Sequence, residues 1–313
     1  MGQLRFSLFG TFSIAFEDKA LDCFHVHKVQ EMLCYLLLHR SHAQTRESLA
    51  ELLWCGTKPE LSKNYLRKTL WQLQVALKNV TGTNDWLLQS PTDHIQFNPK
   101  ADCWLDTAVF EDVYNRYRDI QGQHLQSCQV EELETAVALY QGDLLEGWYQ
   151  EWCLFERERL QQMLLLMLLK LMGYCELTEE YEKGVAYGLQ VLHFDRAQER
   201  VHCALMRLHY LSGNRTEALH QYERCKTILD KELGVAPSEQ TNTLYQQIRL
   251  EQPICIPAVF SNHASFSSSP SLAEILNRLE QLQNNLVVVQ HQLQLDIDTV
   301  KKHLSAQEKL ERF

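Results

Sequence analysis

Two segments of the chain repeat each other at an offset of 34 residues. Residues 181–192 superpose on residues 215–226, which places Gly184 opposite Ala218 and Gly188 opposite Tyr222. This offset is the period of tetratricopeptide repeats, in which helices stack in pairs and small residues let neighbouring helices approach closely. A Leu-Gly-x-x-Pro turn at residues 233–237 follows the second copy. The repeat therefore predicts an array of packed helices in this part of the chain.

The helical pattern extends well beyond the repeat. Apolar residues recur at helical spacing, with glycine turns between them, in segments near 106–119, 129–141, 151–176, 180–193, 197–211, 214–232 and 238–249. The most apolar window, residues 163–172, is about half as long as a membrane span and contains Lys170. We therefore expect a buried helix at this window and no membrane partner.

The first hundred residues show a different pattern. Alternating apolar residues around Gly10 predict a small sheet over residues 3–16. Helices are predicted over residues 27–40, residues 46–54 with Thr45 as N-cap, and residues 62–79 with Ser62 as N-cap. A hairpin follows, with strands at residues 86–88 and 94–97. This order is the plan of a winged helix-turn-helix preceded by a small sheet.

The end of the chain predicts a separate element. The prolines and serines of residues 251–271 indicate a linker, and residues 272–313 keep three-four apolar spacing, which predicts a long coiled-coil helix that needs a partner. The predicted fold is mainly α. We expect a winged-helix domain at 1–100, a tetratricopeptide-like domain at 101–250, the linker and the C-terminal helix.

The charge is distributed unevenly. The net charge is −10, but residues 1–100 carry +2 and the rest carry −12. An acidic body repels nucleic acid, so any DNA contact is confined to a local surface of the first hundred residues.

The third predicted helix is the candidate for that contact. At about 100° per residue, Leu66, Leu70, Leu73 and Leu77 share the face that packs on the domain. The candidate DNA-binding residues lie on the other faces: Lys63, Asn64, Arg67, Lys68, Trp71, Gln74 and Lys78. Cations pair with phosphate or guanine, and amides read adenine edges. The alternative is an ordinary solvated face. For Trp71 we favour packing under the wing or on the next domain over contact with DNA sugars.

Five motifs carry a family resemblance that covers about residues 1–250. The motifs are residues 45–54 (TRESLAELLW), 73–77 (LQVAL), 140–145 (YQGDLL), 156–160 (ERERL) and 232–237 (ELGVAP). Together they resemble the SARP-type activators, which join an OmpR-like winged helix to a bacterial transcriptional activator domain of tetratricopeptide type.

The resemblance implies a function and partners. It implies binding to repeated promoter elements on double-stranded DNA, contact with RNA polymerase, and a helical domain that pairs protomers or senses a signal. One departure is that Gln72, Gln74 and Val75 stand where the family has more arginine. Fewer cations mean fewer phosphate contacts, so affinity is expected to depend on a homodimer formed through the repeat domain and the C-terminal helix.

Other functions remain open. Nucleophile and phosphate-binding motifs are absent from the sequence, so we expect no enzyme and no cofactor. The histidine pairs His25/His27 and His39/His42 lack further ligands, so we expect no metal, and the cysteines without a Cys-x-x-Cys pair are typical of a cytoplasmic protein. The main alternative is an interaction scaffold whose winged helix no longer binds DNA. A further alternative is a small-molecule groove between the repeat helices. Its lining would come from Tyr174, Tyr181, Tyr187, Tyr210 and Tyr222, although aromatic residues at helical spacing are usually core.

Overall fold

The computed structural model describes residues 3–17, 19–21, 26–81, 88–89, 93–98 and 101–252. The predictions for the linker beyond residue 252 and for the helix at 272–313 lie outside these residues. Within them the protein is mainly helical with two small N-terminal sheets, as the sequence predicts.

The first sheet combines strands from both ends of the N-terminal region. β1 (Leu4–Ser7), β2 (Ser13–Phe16), β3 (Lys19–Ala20) and β7 (Cys103–Leu105) form the order β3-β2-β1-β7. β1 and β2 are antiparallel, whereas β1 and β7 are parallel. The period-two pattern buries Leu4, Phe6 and Ile14 on one face. The sequence did not predict β7, which is only three residues long.

The winged helix follows this sheet. α1 (His27–Leu38), α2 (Arg46–Leu53) and α3 (Pro59–Thr81) pack together, and β4 (Gln44–Thr45), β5 (Leu88–Gln89) and β6 (His94–Phe97) form a sheet of order β4-β6-β5. The predicted cap of the second helix is confirmed, because the Thr45 hydroxyl accepts a hydrogen bond from the Ser48 amide at 3.1 Å.

The predicted start of α3 was wrong. The helix begins at Pro59, and the Lys58 carbonyl accepts from the amides of Leu61 and Ser62. Proline suits a first helical position because its fixed φ is helical and its missing N–H would have no partner there. Ser62 is therefore not the cap but a buried residue inside the first turn, where its hydroxyl donates to the Pro59 carbonyl at 3.0 Å. The earlier start also adds the acidic Glu60 to the helix.

Seven helices complete the described chain and are called the helical array below. They are α4 (Asp106–Tyr117), α5 (Ser127–Leu139), α6 (Glu151–Leu177), α7 (Tyr181–Phe194), α8 (Glu199–Leu211), α9 (Arg215–Leu233) and α10 (Glu239–Arg249), with a short 3-10 turn at Gly122–His124. From α6 onward each helix packs on the next. The predicted segments are confirmed, with ends displaced by at most two residues.

Small residues bring α7 close to its neighbours. A Cβ added at Gly188 would lie 2.7 Å from Leu205 Cδ2 and 2.9 Å from Met172 Cε, so side chains of α6 and α8 would have to shift to admit it. Gly188 therefore lets neighbouring helices approach closely, as its place in the first copy of the repeat predicted.

The apolar helix α6 forms the centre of the array. By length and composition it is apolar enough to cross a membrane, but half of its most apolar stretch is buried inside the protein. Leu160, Leu164 and Leu168 are among its buried residues. Such burial is what we expected of a core helix.

Candidate nucleic-acid interface

One face of α3 packs on the winged helix. Leu66, Leu70, Leu73 and Leu77 are at most 5% exposed, which confirms the predicted inner face. This packing fixes which α3 side chains point to solvent, because residues on the other side of a helix cannot reach the core.

The opposite side of α3 is called the cationic face. It consists of Lys63, Asn64, Arg67, Lys68, Trp71, Gln74 and Lys78, of which Gln74 is half-buried and the others are exposed. The structure therefore places all the candidate side chains on an accessible surface, and no part of the described helical array covers them.

Two contacts bear on the charge of this face. Lys63 Nζ lies 2.6 Å from Glu47 Oε1 of α2, and this hydrogen bond lowers the pKa of the exposed Glu47 carboxyl. Arg67 Nη1 lies 3.5 Å from Asn64 Oδ1, one turn away. Lys68 and Lys78 have no acidic partner within the described part of the chain. The face thus keeps a net positive charge after the Lys63–Glu47 pair is counted.

Trp71 does not pack in either of the ways we preferred. Its side chain is 62% exposed, so it lies neither under the wing nor against the helical array. An exposed indole in the middle of the cationic face offers a flat apolar surface between charged and amide groups.

The wing is attached directly to the start of α2. β4 and β6 pair Thr45 with His94, and the Arg46 amide donates to the Asp93 carbonyl at 3.0 Å. His94 is exposed, in agreement with its interpretation as an ordinary surface histidine. The rest of the predicted tip, residues 90–92, lies outside the described residues.

Asp106 ties the N-terminal sheet to the helical array. Its buried carboxylate accepts hydrogen bonds from the Leu8 amide at 2.7 Å and the Phe9 amide at 2.9 Å. Burial raises the pKa of this carboxyl, and the hydrogen bonds oppose that rise. Sequence reasoning missed this residue, because its partners lie almost a hundred positions earlier. The only local signal was an acid placed directly after the short apolar run of residues 103–105.

The loop before α6 forms a second tie. The Gly10 amide donates to the Asp143 carbonyl at 2.9 Å, and the Leu145 amide donates to the Leu8 carbonyl at 2.8 Å. Arg157 holds the loop in place, since its guanidinium donates to the carbonyls of Leu144, Leu145 and Trp148 at 2.9–3.1 Å. Two motifs singled out in the sequence, residues 140–145 and 156–160, therefore meet here and join the sheet to the array.

A half-buried ion cluster lies beside these ties. Glu111 of α4 accepts from Arg40 at 3.2 Å and from Arg159 of α6 at 2.5 Å, and Arg159 also pairs with Glu156 at 2.7 Å. The Arg40 carbonyl in turn accepts from Gln96 of the wing strand at 3.0 Å. The wing, the segment that follows α1 and the helical array are therefore linked by one polar network. In the described part of the chain no three metal-ligating side chains come together.

The tyrosines of the alternative small-molecule groove do not gather around the apolar cleft of the array. Tyr222 stacks on Tyr245 with ring centroids 4.0 Å apart, and Tyr174 approaches Ser127. Of the five tyrosines, only Tyr187 lines the apolar cleft of the array, where Tyr140 accompanies it. The other four do not line that cleft.

Comparisons with known proteins agree with this architecture. Residues 105–249 match the model of the bacterial transcriptional activator domain family. A solved structure of Mycobacterium tuberculosis EmbR, in complex with a low-affinity phosphopeptide, is similar with a TM-score of 0.62 and 18% sequence identity, and the match covers 83% of this chain and 68% of that chain. A search of curated protein sequences found no match. The EmbR similarity confirms the predicted fold. The chain therefore combines a winged helix with a helical array that matches the bacterial transcriptional activator domain family over residues 105–249.

Proposed function

We propose that this protein is a transcriptional activator that binds repeated promoter elements by placing α3 in the major groove of double-stranded DNA. The observation that carries the proposal is the cationic face, in which four cations, one amide and an indole are exposed beside the half-buried amide of Gln74, on a molecule of net charge −10. A major groove about 12 Å wide admits a helix, and it displays base edges that cations and amides recognise.

The length of α3 implies that its two halves contact different parts of the DNA. At about 1.5 Å per residue, Lys63 and Lys78 lie about 22 Å apart along the axis, which exceeds the groove width. We therefore assign Asn64, Arg67 and Lys68 to the groove and Lys78 to the phosphate backbone beyond it. Lys63 would exchange Glu47 for a phosphate, since an exposed ion pair of this kind contributes little to stability.

The helical array is the proposed site of contact with RNA polymerase and with a second protomer. Its match to a bacterial transcriptional activator domain supports a role in protein contacts. We propose a cytoplasmic regulator without catalytic activity that binds DNA as a homodimer.

The second candidate function is a protein-interaction scaffold. It is favoured by the charge of −12 outside the first hundred residues and by the neutralisation of Lys63 by Glu47, both of which weaken attraction to DNA. The two functions differ in one measurable property, which is salt-dependent binding to duplex DNA.

The decisive experiment compares two charge-matched double variants of the full chain. Affinity for a fluorescent random-sequence duplex is measured by anisotropy at several salt concentrations between about 50 and about 200 mM, for the parent protein, Arg67→Ala/Lys68→Ala, and Lys226→Ala/Lys231→Ala. Each lost phosphate contact makes the slope of log affinity against log salt concentration shallower by about one. The α3 variant should therefore bind DNA more weakly, and its slope should be shallower by up to about two.

The control variant removes two exposed cations from α9 and should leave both quantities unchanged. Equal losses in the two variants would show that binding follows overall charge and not α3. Absence of binding by the parent protein at the lowest salt would instead support the scaffold.

A further inference from the structure

An open cleft lies between three helices of the array. Its volume is about 460 Å³, and its floor contains Leu164 and Leu168 of α6. Val137 and Ala138 of α5 line one wall, and α7 forms the other. This volume lies within the range of about 300–1,000 Å³ that is typical of small-molecule sites.

Contacts between α5 and α7 hold the two walls together across the floor. The Tyr187 hydroxyl of α7 donates to Glu134 Oε1 of α5 at 2.7 Å. Phe194 of α7 meets Tyr140, which caps the C-terminus of α5, edge to face with ring centroids 6.1 Å apart. The cleft is thus a shaped feature with bridged walls and not a simple gap between adjacent helices.

The lining has one carboxylate among aromatic groups. Glu134 and His193 are the titratable side chains of the lining besides the two tyrosines, and three rings surround the apolar floor: Tyr140, Tyr187 and Phe194. The Tyr187 hydroxyl occupies only one of the two Glu134 oxygens, so the second can accept from a ligand. The nearby Lys183 is paired with Glu180 at 2.6 Å.

A ligand that fits these groups is an organic cation with a flat apolar body. An ammonium group would donate to the free oxygen of Glu134, neutralise its charge and lie against the faces of the aromatic rings, and the body would cover Leu164 and Leu168. A carboxylate ligand would be repelled by Glu134, and a neutral ligand would leave the carboxylate without an ionic partner. We propose that the cleft between α5, α6 and α7 binds a small aromatic amine, which makes it a ligand site separate from the DNA-binding face.

Calorimetric titration with three indole probes of similar size tests the proposal on the full chain. Tryptamine carries an ammonium group, tryptophol a neutral hydroxyl and indoleacetate a carboxylate. We expect tryptamine to bind about tenfold more tightly than tryptophol, as one charge-assisted contact provides, and we expect no measurable heat from indoleacetate. The assay needs no DNA, so its result is independent of the proposed function.

Matched glutamine variants test whether Glu134 supplies the negative charge that binds the ammonium group. Glu134→Gln keeps an acceptor for the Tyr187 hydroxyl and should weaken tryptamine about tenfold while leaving tryptophol unchanged. Glu131→Gln, on the exposed side of the same helix and outside the cleft, should change neither. Ala138→Trp, which fills the cleft from its exposed wall, should abolish binding of both probes. Circular dichroism melting verifies that each variant is folded.

Three results would overturn the proposal. They are the absence of tryptamine binding to the folded parent protein, equal affinities for tryptamine and tryptophol, and unchanged tryptamine affinity in folded Glu134→Gln. A cleft that is only a packing defect predicts the first of these results.

Discussion

At the scale of single residues, His202 is a neutral histidine fixed inside the array. It is 1% exposed, its Nε2 donates to the Arg196 carbonyl at 2.9 Å, and its Nδ1 accepts from Gln221 Nε2 at 2.8 Å. The Gln221 oxygen faces Arg224, which fixes the direction of the amide. A proton added at Nδ1 would therefore meet a hydrogen-bond donor.

This environment makes stability depend on pH. Burial lowers the pKa of His202 below its ordinary value of 6.5, whereas the contacts with Arg196 and Glu199 act in the opposite direction. The unfolded chain therefore binds the proton first, and the stabilisation from neutral His202 is complete above about pH 6.5 and is lost as the pH falls through the folded pKa. His39 and His209, whose pKa values burial also lowers, contribute with the same sign.

We predict that urea unfolding, followed by circular dichroism, gives a lower free energy of unfolding at about pH 5 than at about pH 7. His202→Gln should flatten this dependence by at most about 1.4 kcal/mol per pH unit, because one titrating proton is removed. An identical pH dependence in the variant would contradict the assignment of a buried neutral histidine.

The residue scale also shows what the sequence could predict of the candidate site. Helical projection identified the inner leucines of α3 and hence the outward direction of Arg67 and Lys68, since both follow from local periodicity. The pairing of Lys63 with Glu47 could not be found in this way, because it depends on how α2 and α3 cross. The same projection placed Trp71 on the polar side of α3, but it could not show whether the wing or the next domain covers the indole, because that also depends on how the elements pack.

At the scale of elements, α7 packs closely against the helices on both of its sides. Gly184 and Gly188 are one turn apart and face α6 and α8, where side-chain carbons of Leu208 and Leu205 lie at 2.7–3.0 Å from an added Cβ. Glycine normally weakens a helix by up to about 1 kcal/mol, so its use at two such positions requires a packing reason. Close contact on both sides supplies that reason.

Gly188→Ala is predicted to destabilise the protein despite its better helix propensity. Overpacking lowers the free energy of unfolding by about 1–3 kcal/mol. The better helix propensity of alanine restores up to about 1 kcal/mol, so we expect a net loss of about 1 kcal/mol. Thermal melting followed by circular dichroism measures the change. The control is Leu189→Ala on the exposed side of the same helix, for which we expect a change below about 0.5 kcal/mol. An increase in the stability of Gly188→Ala would show that the side chains of α6 and α8 can move aside at little energetic cost.

Element length decided which parts of the fold were predictable. Helices of eleven residues or more, from α4 to α10, show several turns of periodicity, and their ends were found within two residues. β4 and β7 have two and three residues, too few for any period to appear. β7 also pairs in parallel with β1, and almost the whole winged helix lies between the two strands in the sequence. Pairing between such distant segments produces no local sequence pattern.

At the scale of the whole molecule, the N-terminal sheet is completed by residues from the array. β7, Asp106 and the loop around Asp143 all bind β1 or the residues that follow it. A hydrophobic core runs from Leu4 to Leu208 across both parts. The winged helix is thus built on contacts that lie beyond residue 100.

A fragment ending at residue 100 is therefore predicted to be poorly folded, whereas a fragment of residues 1–261 should retain the stability of the full chain. Truncation removes the acceptors of the Leu8, Phe9 and Gly10 amides, and each buried donor left without a partner costs about 1–3 kcal/mol, a large share of the stability of a small domain. Heating with circular dichroism detection should show a cooperative transition only for the longer fragment. A cooperative melt of the short fragment at the temperature of the full chain would refute this dependence.

The loop that pairs with Leu8 and Gly10 also has a consequence for promoter geometry under the proposed function. Because it fastens the helical array to the N-terminal sheet, we expect the array to keep one orientation on the winged helix. The helical phase of the bound element would then set the side of the duplex that the array faces. Inserting about five base pairs, half a turn of DNA, between two elements would carry one domain to the opposite side of the promoter. An insertion of about ten would restore the original side.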